Sequence, residues 1–155
     1  MRPRIAAVLA ALVVAGCGDD GPTKDDFAAR ADAVCREGNR ALAPLDDQVA
    51  DVQRDSDQRK VFAAMARLTR RSVTMSARYV DRLDALETPA GDRDRLKGWI
   101  ADVRRQLTLI GELGDAFAAH DQAAIVRLSE QIDALNTRNN RFAASYGMRE
   151  CARRA

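Results

Sequence analysis

Histidine and cysteine, the residues that most often bind zinc and haem iron, are scarce in this sequence. It contains one histidine, His120, and three cysteines, Cys17, Cys35 and Cys151. One histidine cannot supply the Glu-x-x-His pairs of di-iron bundles or the His-Glu-x-x-His motif of zinc helices. The cysteines are too widely spaced for the Cys-x-x-Cys-His haem signature. His120 stands beside Asp121 in a predicted turn, where an exposed loop residue is expected, so the sequence predicts no metal site and no cofactor.

Patterns that mark common enzyme sites are also missing. Gly-rich phosphate loops and nucleophile elbows are absent from the sequence. Acidic residues are numerous, but they are scattered over helix positions that look solvated, so no pair is singled out for acid and base catalysis. We therefore favour a non-catalytic protein. The alternative is an enzyme of the cell envelope that uses Asp, Glu, Arg and Tyr groups not identifiable from sequence.

The chain has no large excess of charge of either sign. It carries 25 basic and 23 acidic side chains. Loss of Arg2 and Arg4 with the leader described below would leave 23 of each sign. Binding to nucleic acid needs an excess of Lys and Arg on one face, whereas here the two signs are interspersed. Nucleic acid is therefore not expected as a partner.

The apolar run at the N-terminus is too short for a membrane-spanning helix. It extends from Ile5 to Ala15, follows Arg2 and Arg4, and falls short of the roughly 20 residues that a bilayer requires. A short apolar run after positive charges is typical of a secretory signal peptide. The leader thus predicts export.

The end of this run is similar to the lipobox of bacterial lipoproteins. The residues are Val14-Ala15-Gly16-Cys17, small residues before a cysteine, with valine where leucine is commonest. The resemblance implies a signal peptide over residues 1–16, a diacylglyceryl group on Cys17, and a lipidated cysteine with a short tether over 17–22. The alternative is an ordinary signal cut elsewhere, with Cys17 as a chance thiol.

Cys35 and Cys151 form the remaining pair once Cys17 is assigned to lipid. Exported proteins meet an oxidising environment in which such a pair forms a disulfide. The sequence therefore predicts a Cys35–Cys151 bond that joins the first helix to the tail after the last one.

The alternation of a β-strand is absent, and helical spacing is found instead. Thr23 and Asp26 resemble a capping box that opens a first helix, which Pro44 should either kink or split. A second helix ends near Glu87, and Asp92 can cap a third after a turn. The apolar stripes are Phe27, Ala31, Val34, Gly38, Leu42, Leu45, Val49 and Val52; Phe62, Met65, Leu68, Ser72, Met75, Tyr79 and Leu86; and Leu96, Ile100, Val103, Leu107, Ile110 and Phe117.

The fourth helix has the clearest pattern. It follows a cap at Asp121 and closes at Gly147. Its stripe comprises Ile125, Leu128, Ile132, Leu135, Asn139, Phe142 and Tyr146. Short connections between four helices predict an all-α domain over 23–155, folded as an antiparallel up-down-up-down four-helix bundle.

Polar residues interrupt an otherwise narrow seam. Few aromatics and many alanines predict close helices with little room for a bulky cofactor. Ser72 and Asn139 fall on the seam, and counting turns places Asn139 near the level of Tyr79. A buried polar contact that fixes the register of the helices is favoured over a ligand site.

Three segments resemble a group of small actinobacterial lipoproteins. They are residues 27–35 near the start, 83–89 at the middle turn and 146–151 at the end. The resemblance covers about residues 23–151 and implies the helical fold, but it carries over no functional residue. We expect a lipid-anchored module on the outer face of the cell membrane that contacts an envelope protein or a small ligand.

Overall fold

Four long helices make up most of the protein. The computed structural model describes residues 21–153, so the leader, Cys17 and the first part of the tether lie outside the described residues. No strand occurs within this range, and the helices pack against one another, which confirms the predicted all-α bundle. The helices are α1 (Lys24–Val52), α2 (Gln58–Asp84), α3 (Arg93–Ala119) and α4 (Gln122–Tyr146), with short 3-10 turns at Ala90–Asp92 and Cys151–Arg153.

Ion pairs between helices show the antiparallel arrangement. Arg70 on α2 pairs with Asp115 on α3 at 2.9 Å, and Asp81 pairs with Arg104 at 3.0 Å. The partner on α3 moves back along the chain as the residue on α2 moves forward. These pairs are exposed and add little to stability, but their order shows that α2 and α3 run in opposite directions.

The capping box predicted for α1 is present. Thr23 Oγ1 accepts a hydrogen bond from the Asp26 backbone N–H at 3.2 Å, and the Asp26 carboxylate accepts from the Thr23 N–H at 3.0 Å. Hydrogen bonds from Thr23 lower the pKa of Asp26. The helix continues through Pro44 to Val52 as one element, so proline does not split it.

Asp92 does not cap α3 as the sequence predicted. It occupies the N-cap position, but its side chain makes no capping hydrogen bond. Its backbone is folded (φ −113°, ψ 1°), whereas a capping side chain usually belongs to an extended residue. The carboxylate instead accepts hydrogen bonds from the Tyr146 hydroxyl and from Arg95, both at 2.9 Å.

The buried face of α2 differs from the predicted stripe. The fully buried residues of α2 are Ala66, Val80 and Leu83, and the helix ends at Asp84 rather than near Glu87. The predicted residues Phe62 to Tyr79 are only half-buried. Helix α2 packs against both α1 and α3. Its most buried residues are therefore expected between the side that contacts α1 and the side that contacts α3.

The best-packed part of the core lies at the end of the bundle where α1 begins and α4 ends. Tyr146 is 1% exposed, and its ring meets Phe27 edge-on with a centroid separation of 5.8 Å. Phe142 stacks on Tyr146 at 5.8 Å, and Met148 is fully buried beside them. This contact places the end of α4 next to the start of α1.

The Tyr146 hydroxyl makes stability depend on alkaline pH. Burial, and then the hydrogen bond to Asp92, raise the pKa of Tyr146 to about 12, from an ordinary value of 10.0. The unfolded chain loses this proton at lower pH than the folded one, so the stabilisation is complete below pH 10 and is lost between pH 10 and 12. We expect melting temperatures over that interval to fall more steeply for the wild type than for Tyr146→Phe. Parallel pH profiles would contradict this assignment.

The C-terminal tail folds back onto α1. Gly147 adopts the left-handed conformation (φ 100°) that ends α4. The Asp32 carboxylate then accepts hydrogen bonds from the backbone N–H groups of Arg149, Glu150 and Cys151, at 3.0, 2.8 and 3.3 Å. The tail therefore docks on the first helix.

The predicted disulfide is present in this tail. Cys35 and Cys151 are bonded, with their Cα atoms 5.0 Å apart. The bond fastens the tail to α1, and the 3-10 turn Cys151–Arg153 contacts α4 as well as α1. The tail thus closes the edge of the bundle between the first and fourth helices.

Within residues 21–153, no helix combines the length and apolar character needed to cross a bilayer.

Candidate functional site

A cavity that is partly open to solvent lies within the bundle. Its volume is about 200 Å³, and side chains from all four helices and from the tail form its walls. The lining consists of Cys35, Gly38, Asn39, Leu42, Ser72, Ser76, Tyr79, Val80, Leu83, Trp99, Val103, Gln106, Leu107, Ile110, Asn136, Asn139, Asn140 and Cys151.

Small residues shape the wall between α1 and α2. A Cβ atom added at Gly38 would lie 3.1 Å from Cγ of Tyr79, so glycine lets the tyrosine ring lie against the backbone of α1. Ser72 and Ser76 lie on α2 before Tyr79 and also line the cavity, which larger side chains at these positions would fill. The Tyr79 ring therefore packs directly on α1 at Gly38, and the cavity lies beside this contact.

A chain of three amide side chains crosses from α4 to α3 and back. The Asn139 Nδ2 donates to Gln106 Oε1 at 2.9 Å, and Gln106 Nε2 donates to Asn136 Oδ1 at 3.3 Å. This arrangement uses the amide nitrogen of Asn139 and directs its carbonyl away from Gln106. The chain ties the Asn139 side chain to α3.

Two buried polar atoms of residues that line the cavity have no hydrogen-bond partner among the described residues. They are Asn139 Oδ1, an acceptor, and Trp99 Nε1, a donor. Asn139 is 4% exposed and Trp99 is 6% exposed. A buried polar group without a partner costs about 1 to 3 kcal/mol, and native proteins usually satisfy such groups. Neither atom is exposed to the open space of the cavity.

The polar contact predicted for Asn139 has a different partner. Tyr79 and Asn139 both line the cavity. The hydrogen bond of the Asn139 side chain, however, goes to Gln106 on α3 and not to Tyr79 on α2. Gln106 lies on α3, which packs against α4, whereas the Tyr79 ring lies against Gly38 on α1.

The cavity lining contains no Asp, Glu, Lys, Arg or His side chain. Two carboxylates with lowered pKa values lie elsewhere, at the surface. Hydrogen bonds from Thr23 lower the pKa of Asp26, and a hydrogen bond from Arg82 lowers that of Glu37. Capping and surface pairing account for both shifts.

His120 lies at the opposite end of the bundle from the tail. It is exposed, as predicted, and it ends α3 with a left-handed backbone (φ 57°). Its ring meets Phe62 edge-on at 4.8 Å. In the described part of the chain, no three His, Cys, Asp or Glu side chains are grouped to hold a metal ion.

Trp99 and Gln106 are candidate site residues that the sequence interpretation missed. Both fall on the stripe Trp99, Val103, Gln106 and Ile110, whose spacing of three and four is helical. Trp99 is the only tryptophan of the chain, and its ring stacks on Phe142 at 5.9 Å. The helical spacing of these residues can be read from the sequence. That Trp99 Nε1 is buried without a hydrogen-bond partner among residues 21–153 cannot be read from it.

Comparison of this chain with protein-family models, with curated proteins and with solved structures found no match.

Proposed function

We propose that this protein is a lipid-anchored lipoprotein of the extracytoplasmic membrane face whose helical bundle binds a small uncharged molecule in its central cavity. The observation that carries the binding role is the cavity itself, which is lined by apolar side chains and by uncharged amide and hydroxyl groups from the four helices.

Two features support the proposed location. The leader ends at Cys17 in a lipobox-like segment, which accounts for one cysteine. The other two form a disulfide, and such bonds persist in oxidising compartments outside the cytoplasm. Residues 18–22 would keep the bundle within a short distance of the bilayer, at up to about 3.5 Å per residue.

The composition of the cavity supports binding rather than catalysis. Its walls offer apolar surface with uncharged hydrogen-bonding groups, which is the usual composition of small-molecule sites. A catalytic carboxylate or histidine would have to enter from outside this lining. The binding role is therefore preferred to the envelope enzyme that the sequence left as an alternative.

Filling the cavity should abolish binding without unfolding the bundle. We expect Ser76→Leu to remove most of the response to toluene, phenol and cyclohexanone, because the longer side chain occupies the space that a one-ring compound needs. Binding can be followed through the fluorescence of Trp99 and by ligand-observed NMR. Ser145→Leu, on the exposed face of α4, should bind like the wild type. If the wild type binds none of the three compounds, the binding role is wrong.

A further inference from the structure

We infer that the outer face of α2 binds an anionic lipid surface. Three arginines on this face, Arg67, Arg71 and Arg78, would contact the phosphate groups of the lipids, and we call them the arginine stripe. The inference rests on the proposed membrane location and does not use the cavity. It adds the side of the bundle that faces the bilayer.

Helix α2 is basic although the chain as a whole is nearly neutral. It carries two acidic residues, Asp81 and Asp84, both in its last turn, and none between Gln58 and Val80. Against these stand seven basic residues: Arg59, Lys60, Arg67, Arg70, Arg71, Arg78 and Arg82. Positive charge is therefore concentrated on this helix.

The arginine stripe lies on the solvent side of α2. Its members are four and seven residues apart, a spacing that places them on one face of a helix. All three side chains are exposed, and the fully buried residues of α2 lie on the other side. From Arg67 to Arg78 the stripe is about 16 Å long, at about 1.5 Å per residue.

The charges of the stripe are not neutralised by the protein. Within residues 21–153, no carboxylate forms an ion pair with any of the three arginines. Arg67 Nη1 donates only to the backbone carbonyl of Ala63, at 3.1 Å. Asp51 lines a surface groove with Arg67 and Arg71, but its carboxylate pairs with Arg54.

Neighbouring arginines of α2 differ from the stripe in this respect. Arg70 pairs with Asp115 on α3 at 2.9 Å, and Arg82 pairs with Glu37 on α1 at 2.8 Å. These pairs lie on the two flanks of α2, where it meets its neighbours in the bundle. The arginines between the flanks are left for an anion from outside the protein.

An anionic membrane fits this surface in charge and in distance. Guanidinium groups donate paired hydrogen bonds to phosphate oxygens, and a row of exposed charges matches a flat surface better than it matches a small ion. Residues 18–22 would hold the start of α1 within about 18 Å of the bilayer, at up to about 3.5 Å per residue. A bundle attached at this distance can lie along the membrane with the stripe against the lipid.

Binding through the stripe would orient the anchored protein. Each basic residue near an anionic membrane strengthens binding about fivefold, so three arginines contribute about 100-fold. Such binding is weaker than that of two or three acyl chains and does not replace them. Because α2 packs against α1 and α3, helix α4 would face away from the bilayer.

Vesicle binding by Cys17→Ser protein, which cannot carry the proposed acyl chains, tests the inference. Vesicles of phosphatidylglycerol and phosphatidylcholine in equal amounts present an anionic surface, and vesicles of phosphatidylcholine alone present a neutral one. We expect co-sedimentation with the anionic vesicles only. An increase in salt from about 0.1 M to about 1 M shortens the screening length from about 10 Å to about 3 Å and should release the protein. No binding to the anionic vesicles at low salt would overturn the inference.

Removal of the stripe should abolish this binding. In the same Cys17→Ser background, Arg67→Gln/Arg71→Gln/Arg78→Gln should lower the affinity for anionic vesicles about 100-fold. Circular dichroism checks that the variant remains helical. The comparison of the two vesicle types and the two salt concentrations decides the question without the variant if it does not fold.

A matched control removes the same charge elsewhere. Arg105, Arg127 and Arg141 are exposed residues of α3 and α4, and none of them forms an ion pair within the described range. Their replacement by glutamine should leave vesicle binding unchanged. An equal loss in both triple variants would show that net charge drives the binding, and the assignment to α2 would be wrong.

The outcomes also separate the partner and the proposed function. Stripe-dependent binding to a DNA duplex without binding to anionic vesicles would identify a soluble polyanion as the partner and overturn the membrane inference. Vesicle binding needs neither lipid on Cys17 nor a filled cavity. Its absence would therefore leave the anchor and the cavity ligand as they stand, and a failure of either of those would leave a positive vesicle result valid.

Discussion

Replacement of Cys17 by serine should move the protein from the membrane fraction to the soluble envelope fraction or the medium. The proposed anchor consists of acyl chains attached through the Cys17 thiol, and each buried methylene contributes about 0.8 kcal/mol of membrane affinity. One chain gives only marginal binding, whereas two or three chains give a stable anchor. Serine has no thiol to carry them, so the whole anchor is lost in one substitution.

Cell fractionation with detection of the protein in each fraction measures this change. Intact mass spectrometry should show lipid on the wild type and none on Cys17→Ser. The matched control is the Cys35→Ala/Cys151→Ala double variant, which loses two cysteines but keeps Cys17 and should stay on the membrane. Full retention of Cys17→Ser with the membrane would refute the lipoprotein proposal.

Helices α1 and α4 could be predicted from local signals. The Thr23–Asp26 capping box and the αL glycine Gly147 lie where the sequence placed them. The stripe from Phe27 to Leu45 is buried as predicted. Such ends and stripes depend on contacts between residues three or four positions apart, so sequence spacing reveals them directly.

Features set by packing could not be predicted in the same way. Asp92 has the residue type of a helix cap, but its carboxylate accepts hydrogen bonds from other groups. One donor, Tyr146, is distant in the sequence, and the other, Arg95, is three residues away. Nothing in the sequence distinguishes Asp32 from the other acidic residues. In the structure its carboxylate accepts hydrogen bonds from three backbone N–H groups of the tail. Both roles depend on a partner more than 50 residues away in the sequence.

The candidate site could be predicted from the sequence only in part. Spacing placed Asn139 and Ser72 on the seam, and both line the cavity. It could not show that Asn139 bonds to Gln106, because the relative rotation of α3 and α4 decides which side chains meet. The unsatisfied carbonyl of Asn139 and the unsatisfied N–H of Trp99 follow from that rotation.

Loss of the Cys35–Cys151 bond should cause the largest change in folding stability. The bond closes a loop with a sequence separation of 116 residues, and the chain-entropy model gives about 5 kcal/mol for such a loop. Residual structure in the unfolded chain reduces this value, so we expect Cys35→Ala/Cys151→Ala to lower the free energy of unfolding by about 3 to 5 kcal/mol. Against a typical total of about 5 to 15 kcal/mol, this loss is large.

The folded structure should nevertheless persist without the bond. Asp32 still accepts the three backbone hydrogen bonds of the tail, and Met148 stays buried in the core. The double variant should therefore keep the helical circular dichroism of the wild type while its melting temperature falls by roughly 10 to 17 °C. Reduction of the wild type should give the same melting temperature, and a reductant should not change that of the double variant.

Peptide mapping of unreduced, exported protein tests the connectivity separately from its energy. A single cross-linked peptide pair containing Cys35 and Cys151 is expected, and two free thiols would refute the bond. If the bond is found but its removal lowers the melting temperature by only a degree or two, the chain-entropy argument is wrong for this protein. The tail would then be held in place by non-covalent contacts. These are its hydrogen bonds to Asp32 on α1 and the packing of Met148 in the core.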